Sequence, residues 1–283
     1  MSRSSVTTAD GTTIAYTATG SGPAIVLHPG VSMPGASFPP VLVDALTQAG
    51  HTVVAVDPRD TGDSTAYEGP AIDLGAIMGG DAAAAPYTFH DMAGDALAVL
   101  DTLGIESATW VGHSMGGSVV AAVGSIAPER VDGMVFLSSA PGFGAGPTPE
   151  FLELVLREVP TDREAAVAWR MDVSRWAMGR HWEEGPGRVR AEWFVDELGW
   201  WGIPTAHLAA FLVGLPGVAS LTPDERSTML VFGDEDDMTA GGRAMAEALP
   251  GATVIELEGY AHWFPEPGPW PEIAQAILRV TSG

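Results

Sequence analysis

The sequence predicts an α/β fold: a mostly parallel central sheet with helices on both faces and a helical cap inserted over its carboxyl edge. Three observations predict it. Short apolar, β-branched runs alternate with segments of helical periodicity toward both ends of the chain. From about 143 to 225 the alternation stops and only helical signals remain. Between the run Ala108-Thr109-Trp110-Val111 and the helix-like Gly117-Ser118-Val119-Val120-Ala121-Ala122 stands Gly112-His113-Ser114-Met115-Gly116, a sharp strand-to-helix turn that displays its central serine.

In chain order, residues 4 to 30 read as short strands, with a hairpin turn at Asp10-Gly11 and a buried strand Ala24-Ile25-Val26-Leu27 ending in His28-Pro29-Gly30. A helix near 37–49 precedes the strand Thr52-Val53-Val54-Ala55-Val56. The Ala- and Gly-rich stretch Tyr67 to Pro86 reads as a surface loop, or as a flap over a pocket mouth. Thr88 with Asp91 forms an N-cap pair for a helix whose apolar stripe is Met92, Ala96, Val99 and Leu103, closed by Gly104. After the Ser114 turn comes the strand Gly133-Met134-Val135-Phe136-Leu137. In the helical block Thr161 and Glu164 form a capping-box pattern, and Ala166, Trp169, Val173 and Trp176 recur at helical spacing. The alternation resumes with Met229-Leu230-Val231-Phe232, a helix near 240–249, Thr253-Val254-Ile255-Glu256-Leu257 and a terminal helix near 270–281. The expected organisation is a core of residues 1–142 and 226–283 interrupted by a cap at 143–225. That places the cap over the edge where open α/β sheets bind their ligands.

Composition narrows the function classes. Of 283 residues, 46% are hydrophobic and 17% charged, the balance of a globular chain. A formal charge of −23 repels phosphate backbones, so nucleic acid is not an expected partner. All 13 basic residues are Arg. With no Cys there is no disulfide, thiolate nucleophile or Cys-ligated metal. No apolar run approaches the roughly 20 residues a spanning helix needs, and the polar start lacks a signal-peptide core. A cytoplasmic monomer or homodimer acting on a small molecule, away from membranes, is expected.

A serine hydroxyl is a weak nucleophile until a base takes its proton, and the base needs an acid to fix its tautomer. Among seven His, His262 follows the last strand-like run, in Gly259-Tyr260-Ala261-His262, at the same sheet edge as Ser114. His113 neighbours Ser114 and is expected to point elsewhere. The acid should lie on a strand-end loop between Ser114 and His262. Ser138-Ser139-Ala140 offers no carboxylate, whereas Gly233-Asp234-Glu235-Asp236-Asp237 offers several. Asp236 is the first choice, with Asp234 and Asp237 as alternatives and a solvated acidic run as the plain reading. The developing oxyanion needs fixed donors: the Met115 N–H, at a helix start, and the Val31 N–H, with the Gly30 N–H as the alternative. Asp57 to Ser64 reads as a structural turn. Six of nine Trp (Trp169, Trp176, Trp182, Trp193, Trp200, Trp201) fall in the cap, either packing it on the core or offering flat apolar walls. Trp176, His207 and Trp263 are the candidate substrate contacts.

These motifs, together with Asp57-Pro58-Arg59-Asp60-Thr61-Gly62-Asp63-Ser64, resemble the α/β-hydrolase fold superfamily over nearly the whole chain. More narrowly, Arg59-Asp60-Thr61-Gly62, the Tyr87 to Asp95 segment and His262-Trp263-Phe264-Pro265-Glu266-Pro267 look like actinobacterial polyketide-tailoring hydrolases of the aclacinomycin methylesterase type. The resemblance departs at His28-Pro29-Gly30, where such proteins commonly have His-Gly or Gly-Gly, and at the insert from Tyr67 to Pro86. It implies hydrolysis of a carboxylic ester, methyl esters among them, of a bulky apolar or polycyclic aromatic substrate. Ser114, His262 and Asp236 would act through an acyl-enzyme, with no cofactor or metal. The same residues are compatible with hydrolysis of a C–C bond, lactone or thioester, with cofactor-free perhydrolysis, or with a binding or cyclisation-templating role. A serine where dehalogenases and epoxide hydrolases of this fold carry Asp argues against those two activities.

Overall fold

The computed structural model describes residues 3–141, 149–199, 202–214, 228–237, 239–249, 251–266 and 268–281. Its strands are β1 (Arg3–Thr7), β2 (Thr13–Gly20), β3 (Ala24–His28), β4 (Thr52–Val56), β5 (Ala108–His113), β6 (Val131–Leu137), β7 (Thr228–Gly233) and β8 (Thr253–Leu257). They form one sheet in the order β1-β2-β4-β3-β5-β6-β7-β8. β2 runs antiparallel to β1 and β4; every other pairing is parallel. The carboxyl ends of β3 to β8 therefore open on one edge, so loops far apart in sequence meet there.

The helices are α1 (Pro40–Gln48), α2 (Leu74–Met78), α3 (Phe89–Leu103), α4 (Met115–Ile126), α5 (Pro149–Val155), α6 (Arg163–Met178), α7 (Glu184–Asp196), α8 (Thr205–Val213), α9 (Thr239–Ala248) and α10 (Trp270–Thr281). Strand side chains alternate between two cores. Val26, Val54, Trp110, Phe136 and Leu230 pack with α3, α4 and Met245 of α9. Leu27, Val53, Val111, Val135 and Val231 pack with Leu42 and Leu46 of α1 and Ile273 and Ile277 of α10. Each fully buried large side chain contributes about 1.5–3 kcal/mol, so both faces are pinned and a one-residue register slip would exchange the cores.

Local chemistry explains the element ends. Thr88 and Asp91 make the capping box of α3, and Gly104 ends it with φ 67°. α6 differs from expectation: its cap is Asp162, whose carboxylate accepts from Ala165 N–H, so the helix starts one residue after the Thr161–Glu164 pattern suggests. The Asp162 carboxylate takes the Ala165 N–H at 2.8 Å, the place the pattern assigns to a hydroxyl one residue earlier. Tyr67 to Pro86 also differs. It contains α2, capped by Asp73, and a 3₁₀ turn over Ala82–Ala84, capped by Asp81. α2 packs against α8.

The described residues between 149 and 214 are helices and loops. Ala166, Val167 and Met171 of α6 meet Ala191 and Val195 of α7 in a small core of their own, and Trp169, Ala177, Phe194 and Ile203 join the core under the sheet edge. Trp263 N–H donates to the Ala177 carbonyl at 2.8 Å, tying this block to the loop after β8. Among the described residues no helix is long and apolar enough to cross a membrane. Four described non-glycine residues have positive φ: Ser32 (56°), Asp60 (67°), Ser114 (51°) and Ser138 (46°). They lie in the loops leaving the carboxyl ends of β3, β4, β5 and β6, four adjacent strands.

Candidate active site

Ser114 ends β5 and opens α4 with φ 51° and ψ −117°. A non-glycine residue there costs about 1–3 kcal/mol and persists because its surroundings over-determine it. Its N–H donates to the Leu137 carbonyl at 2.9 Å, and its carbonyl accepts from Gly117 N–H at 3.0 Å and the Ser139 hydroxyl at 2.6 Å. The glycines around it are required by close approach. A Cβ on Gly112 would collide with the Gly116 backbone, one on Gly116 with the His28 carbonyl, and one on Gly117 with the Ser139 side chain. β3, β5 and α4 thus come nearer than side chains permit, and the Ser114 residue stands half-buried at the sheet edge.

His262 Nε2 lies 3.0 Å from Ser114 Oγ, and its Nδ1 lies 3.0 Å from Asp236 Oδ1. A carboxylate only accepts, so Nδ1 carries the hydrogen and Nε2 is left to accept from the serine hydroxyl. The loops after β7 and β8 are clasped together: Glu235 N–H donates to the Tyr260 carbonyl at 2.9 Å and Gly259 N–H to Asp234 Oδ1 at 2.6 Å. The three neighbouring acids separate. Asp236 has a wholly buried side chain against His262, Asp234 is exposed and holds the Gly259 backbone, and Asp237 is exposed and accepts from Trp176 Nε1 at 3.0 Å.

His113 points away from Ser114 Oγ, as expected, yet it touches the base from behind. Its Nε2–H donates to the His262 carbonyl at 3.1 Å, and burial, then the neighbouring His262, push its pKa down to about 3. It therefore stays neutral and keeps that donor at ordinary pH. Sequence pattern gives no signal for this role.

One cavity is lined by Ser114, His262, Gly30, Val31, Trp176 and Trp263, with Phe151, Met33 and Ile203 adding apolar wall. The Trp176 ring sits 5.0 Å from the His262 ring and 4.5 Å from Phe151. Trp263 packs on His113 at 4.5 Å. Two guanidinium groups, Arg170 and Arg190, also reach the cavity and flank the Phe194 ring at 3.9 and 5.5 Å. Met115 is the first residue of α4, at the positive end of its dipole. Gly30 carbonyl accepts from Met33 N–H at 3.2 Å; in a trans peptide the N–H of Val31 then points the opposite way.

Several expected contacts fall elsewhere. His207 is fully buried and outside the cavity lining. Its Nδ1 accepts from Ser32 N–H at 3.1 Å and its Nε2–H donates to the Arg59 carbonyl at 2.8 Å, so both ring nitrogens are committed and no substrate atom can use them. Trp169 is buried with its Nε1 on the Leu154 carbonyl, Trp182 packs against the α6–α7 core, and Trp193 is exposed. Trp200 and Trp201 lie outside the described residues. Of the described tryptophans between 149 and 214, Trp176 alone lines the cavity. Arg59 in the Asp57 to Ser64 turn is spent on Asp95, at 2.6 and 2.7 Å, in agreement with a structural role. Among the described residues no group of three or more His, Asp or Glu is placed to hold a metal ion.

Comparison with known proteins agrees with this architecture. A family model described as the alpha/beta hydrolase fold matches residues 23–193. A rhodomycin D methylesterase of Streptomyces sp. (strain C5) is 27% identical over 270 residues, covering 85% of this chain and 85% of its own, and that of Streptomyces peucetius matches equally. Both are methylesterases by name, the kind of relative the sequence resemblance implies. An esterase from Rhodococcus sp. ECU1013 superposes with a TM-score of 0.76 at 21% identity, covering 100% of this chain and 99% of its own. A meta-cleavage product hydrolase from Pseudomonas fluorescens IP01 gives 0.74 at 20% identity, with 99% and 97% covered. At such identities the solved structures speak for the fold. On a match spanning more than half of its length, the chain belongs to the α/β-hydrolase fold family.

Proposed function

We propose that this protein hydrolyses a carboxylic ester of a bulky apolar or aromatic substrate, methyl esters among them, through an acyl-enzyme on Ser114. One observation carries the reading: the hydrogen-bonded row from Ser114 Oγ to His262 to Asp236, 3.0 Å at each step, standing on a strained turn inside an apolar cavity. The methylesterase relatives, aligned over most of the chain, favour ester chemistry over the other bonds such a row can cleave.

In this mechanism His262 Nε2 takes the hydroxyl proton as Ser114 Oγ bonds to the ester carbonyl carbon. The charge gathering on the carbonyl oxygen is met by the N–H groups of Met115 and Val31, in place before the reaction begins. Imidazolium, stabilised by Asp236, returns its proton to the alkoxy oxygen as the C–O bond breaks and the alcohol departs. Water then enters, gives its proton to His262 and attacks the acyl carbon; the carboxylic acid leaves and Ser114 regains its hydrogen. Trp176 and Trp263 would bracket the apolar part of the substrate.

The test is trapping. A fluorophosphonate should label wild-type protein on Ser114, and p-nitrophenyl and aromatic methyl esters should be turned over. Ser114→Ala should lose both while keeping its melting temperature. Turnover at the wild-type rate in Ser114→Ala would refute the mechanism.

A further inference from the structure

The β3 loop carries the Val31 N–H, and three contacts fix its course. Met33 N–H closes a turn onto the Gly30 carbonyl at 3.2 Å. Gly30 packs on the Ser114 turn so tightly that a Cβ there would sit 2.9 Å from His113 Nδ1 and 3.3 Å from Ser114 Cβ. Ser32, with φ 56°, sends its N–H to His207 Nδ1 at 3.1 Å. The first two contacts come from the core itself. The third comes from α8, 175 residues further along the chain.

His207 is suited to a fixed strut. It is fully buried, and its Nε2–H bonds to the Arg59 carbonyl at 2.8 Å. Arg59 is in turn locked to buried Asp95. The Tyr87 ring stands edge-on to the imidazole at 6.3 Å. The ionisable groups around it are Arg59, Asp60, His28 and Tyr87; burial holds both His207 and His28 below the ordinary histidine pKa. A neutral ring with its hydrogen on Nε2 is the one form that accepts from Ser32 while donating to Arg59. The strain at Ser32 needs such an anchor: released, the residue would relax toward negative φ and turn the preceding peptides with it.

We infer that His207 is a positioning residue, by which helix α8 of the cap holds the β3 loop in the conformation that presents the Val31 N–H to the oxyanion. The inference rests on the ester-hydrolase reading above. It makes the seating of α8 and the completion of the oxyanion donors a single event: a cap lifted at α8 leaves Ser114 and His262 in place with one donor displaced.

Two substitutions separate the halves of the strut. His207→Asn keeps an acceptor near the Nδ1 position for Ser32; His207→Gln keeps a donor near Nε2 for Arg59 and loses that acceptor. Both are assayed on p-nitrophenyl butyrate, with active sites counted by fluorophosphonate labelling and folding checked by thermal melts. His207→Asn should keep kcat within about 3-fold of wild type. His207→Gln should lower kcat about 10- to 100-fold, part of what loss of a whole oxyanion donor costs, with KM changed less than about 3-fold. It should also weaken inhibition by butylboronic acid, whose tetrahedral adduct uses the same donors, by a similar factor. If His207→Gln does not fold, His207→Leu takes its place with the same expectation, since it too lacks the acceptor. Unchanged kcat in the acceptor-less variant, equal losses in both variants, or a loss confined to KM would overturn the inference. Wild-type protein that fails to label overturns the hydrolase reading and this inference with it. Wild-type protein that labels, beside an acceptor-less variant of full kcat, overturns the inference alone.

Discussion

Acidification should destabilise this protein through His113, by an amount the structure allows to be worked out. The residue is 2% exposed, and its pKa is pushed down to about 3 from an ordinary 6.5, burial being the first cause. A lowered folded-state pKa means that the unfolded chain binds the proton first. The stabilisation is therefore complete above pH 6.5 and is lost as pH falls toward 3. Linkage over pH 7 to 5 gives a loss of about 2 kcal/mol for this one side chain, a large part of the roughly 5–15 kcal/mol of a folded domain. His28, at about 4, works in the same direction, whereas protonating carboxylates relieves the −23 charge and opposes it. Total acid sensitivity thus mixes several groups, and a difference measurement isolates His113. His113→Gln keeps an N–H for the His262 carbonyl and removes the titration. Urea unfolding at pH 7 and pH 5 should show wild type losing about 2 kcal/mol more than the variant across that interval. Equal losses in the two proteins, within about 0.5 kcal/mol, would refute the assignment of His113 as a buried neutral donor.

Asp236→Asn should lower kcat on p-nitrophenyl esters by about 1,000- to 10,000-fold, because an amide no longer dictates the His262 tautomer, while Asp237→Asn stays within about 5-fold; steady-state kinetics on both decides which acid matters. Gly116→Ala should cost at least about 3 kcal/mol or prevent folding, since its Cβ collides with the His28 carbonyl; a normal melting temperature would contradict the packing of β3 on α4. Trp176→Ala should raise KM for aryl esters by about 10-fold and for a short acetate ester by less than about 3-fold, and equal effects on both would remove Trp176 from the substrate wall.

Where a structural feature depends on neighbours in sequence, the residues announce it. The Thr88–Asp91 capping box, Gly104 at φ 67° and the approach of Gly112 to Gly116 around Ser114 all follow from chemistry within a few positions. The acidic run after β7 shows the limit. Asp234, Asp236 and Asp237 are alike in sequence, and only the way this loop clasps the one after β8 turns Asp236 inward. Thr161 and Asp162 pose the same difficulty at the start of α6, because both can cap and one residue of register decides between them. Tyr67 to Pro86 reads as a loop from its Ala and Gly content; α2 forms there through the Asp73 cap and its contact with α8, a partner more than 120 residues away. His207 and His113 escape sequence reading altogether. Their roles are hydrogen bonds across 175 and 149 residues, and no local periodicity encodes them.

The four described non-glycine residues with positive φ, all on loops at one edge of adjacent strands, divide the molecule for anyone evolving it in the laboratory. Glycine at Ser32 or Ser138 would each release on the order of 1 kcal/mol of backbone strain, whereas Asp60 also holds the Tyr67 N–H and the Tyr87 hydroxyl through its carboxylate. A selection for heat resistance alone would find these exchanges early and would loosen the loops that shape the working edge. Screens for thermal hardiness are therefore better aimed at loops on the opposite edge, such as the Ser21–Pro23 turn between β2 and β3, beside the amino end of β4.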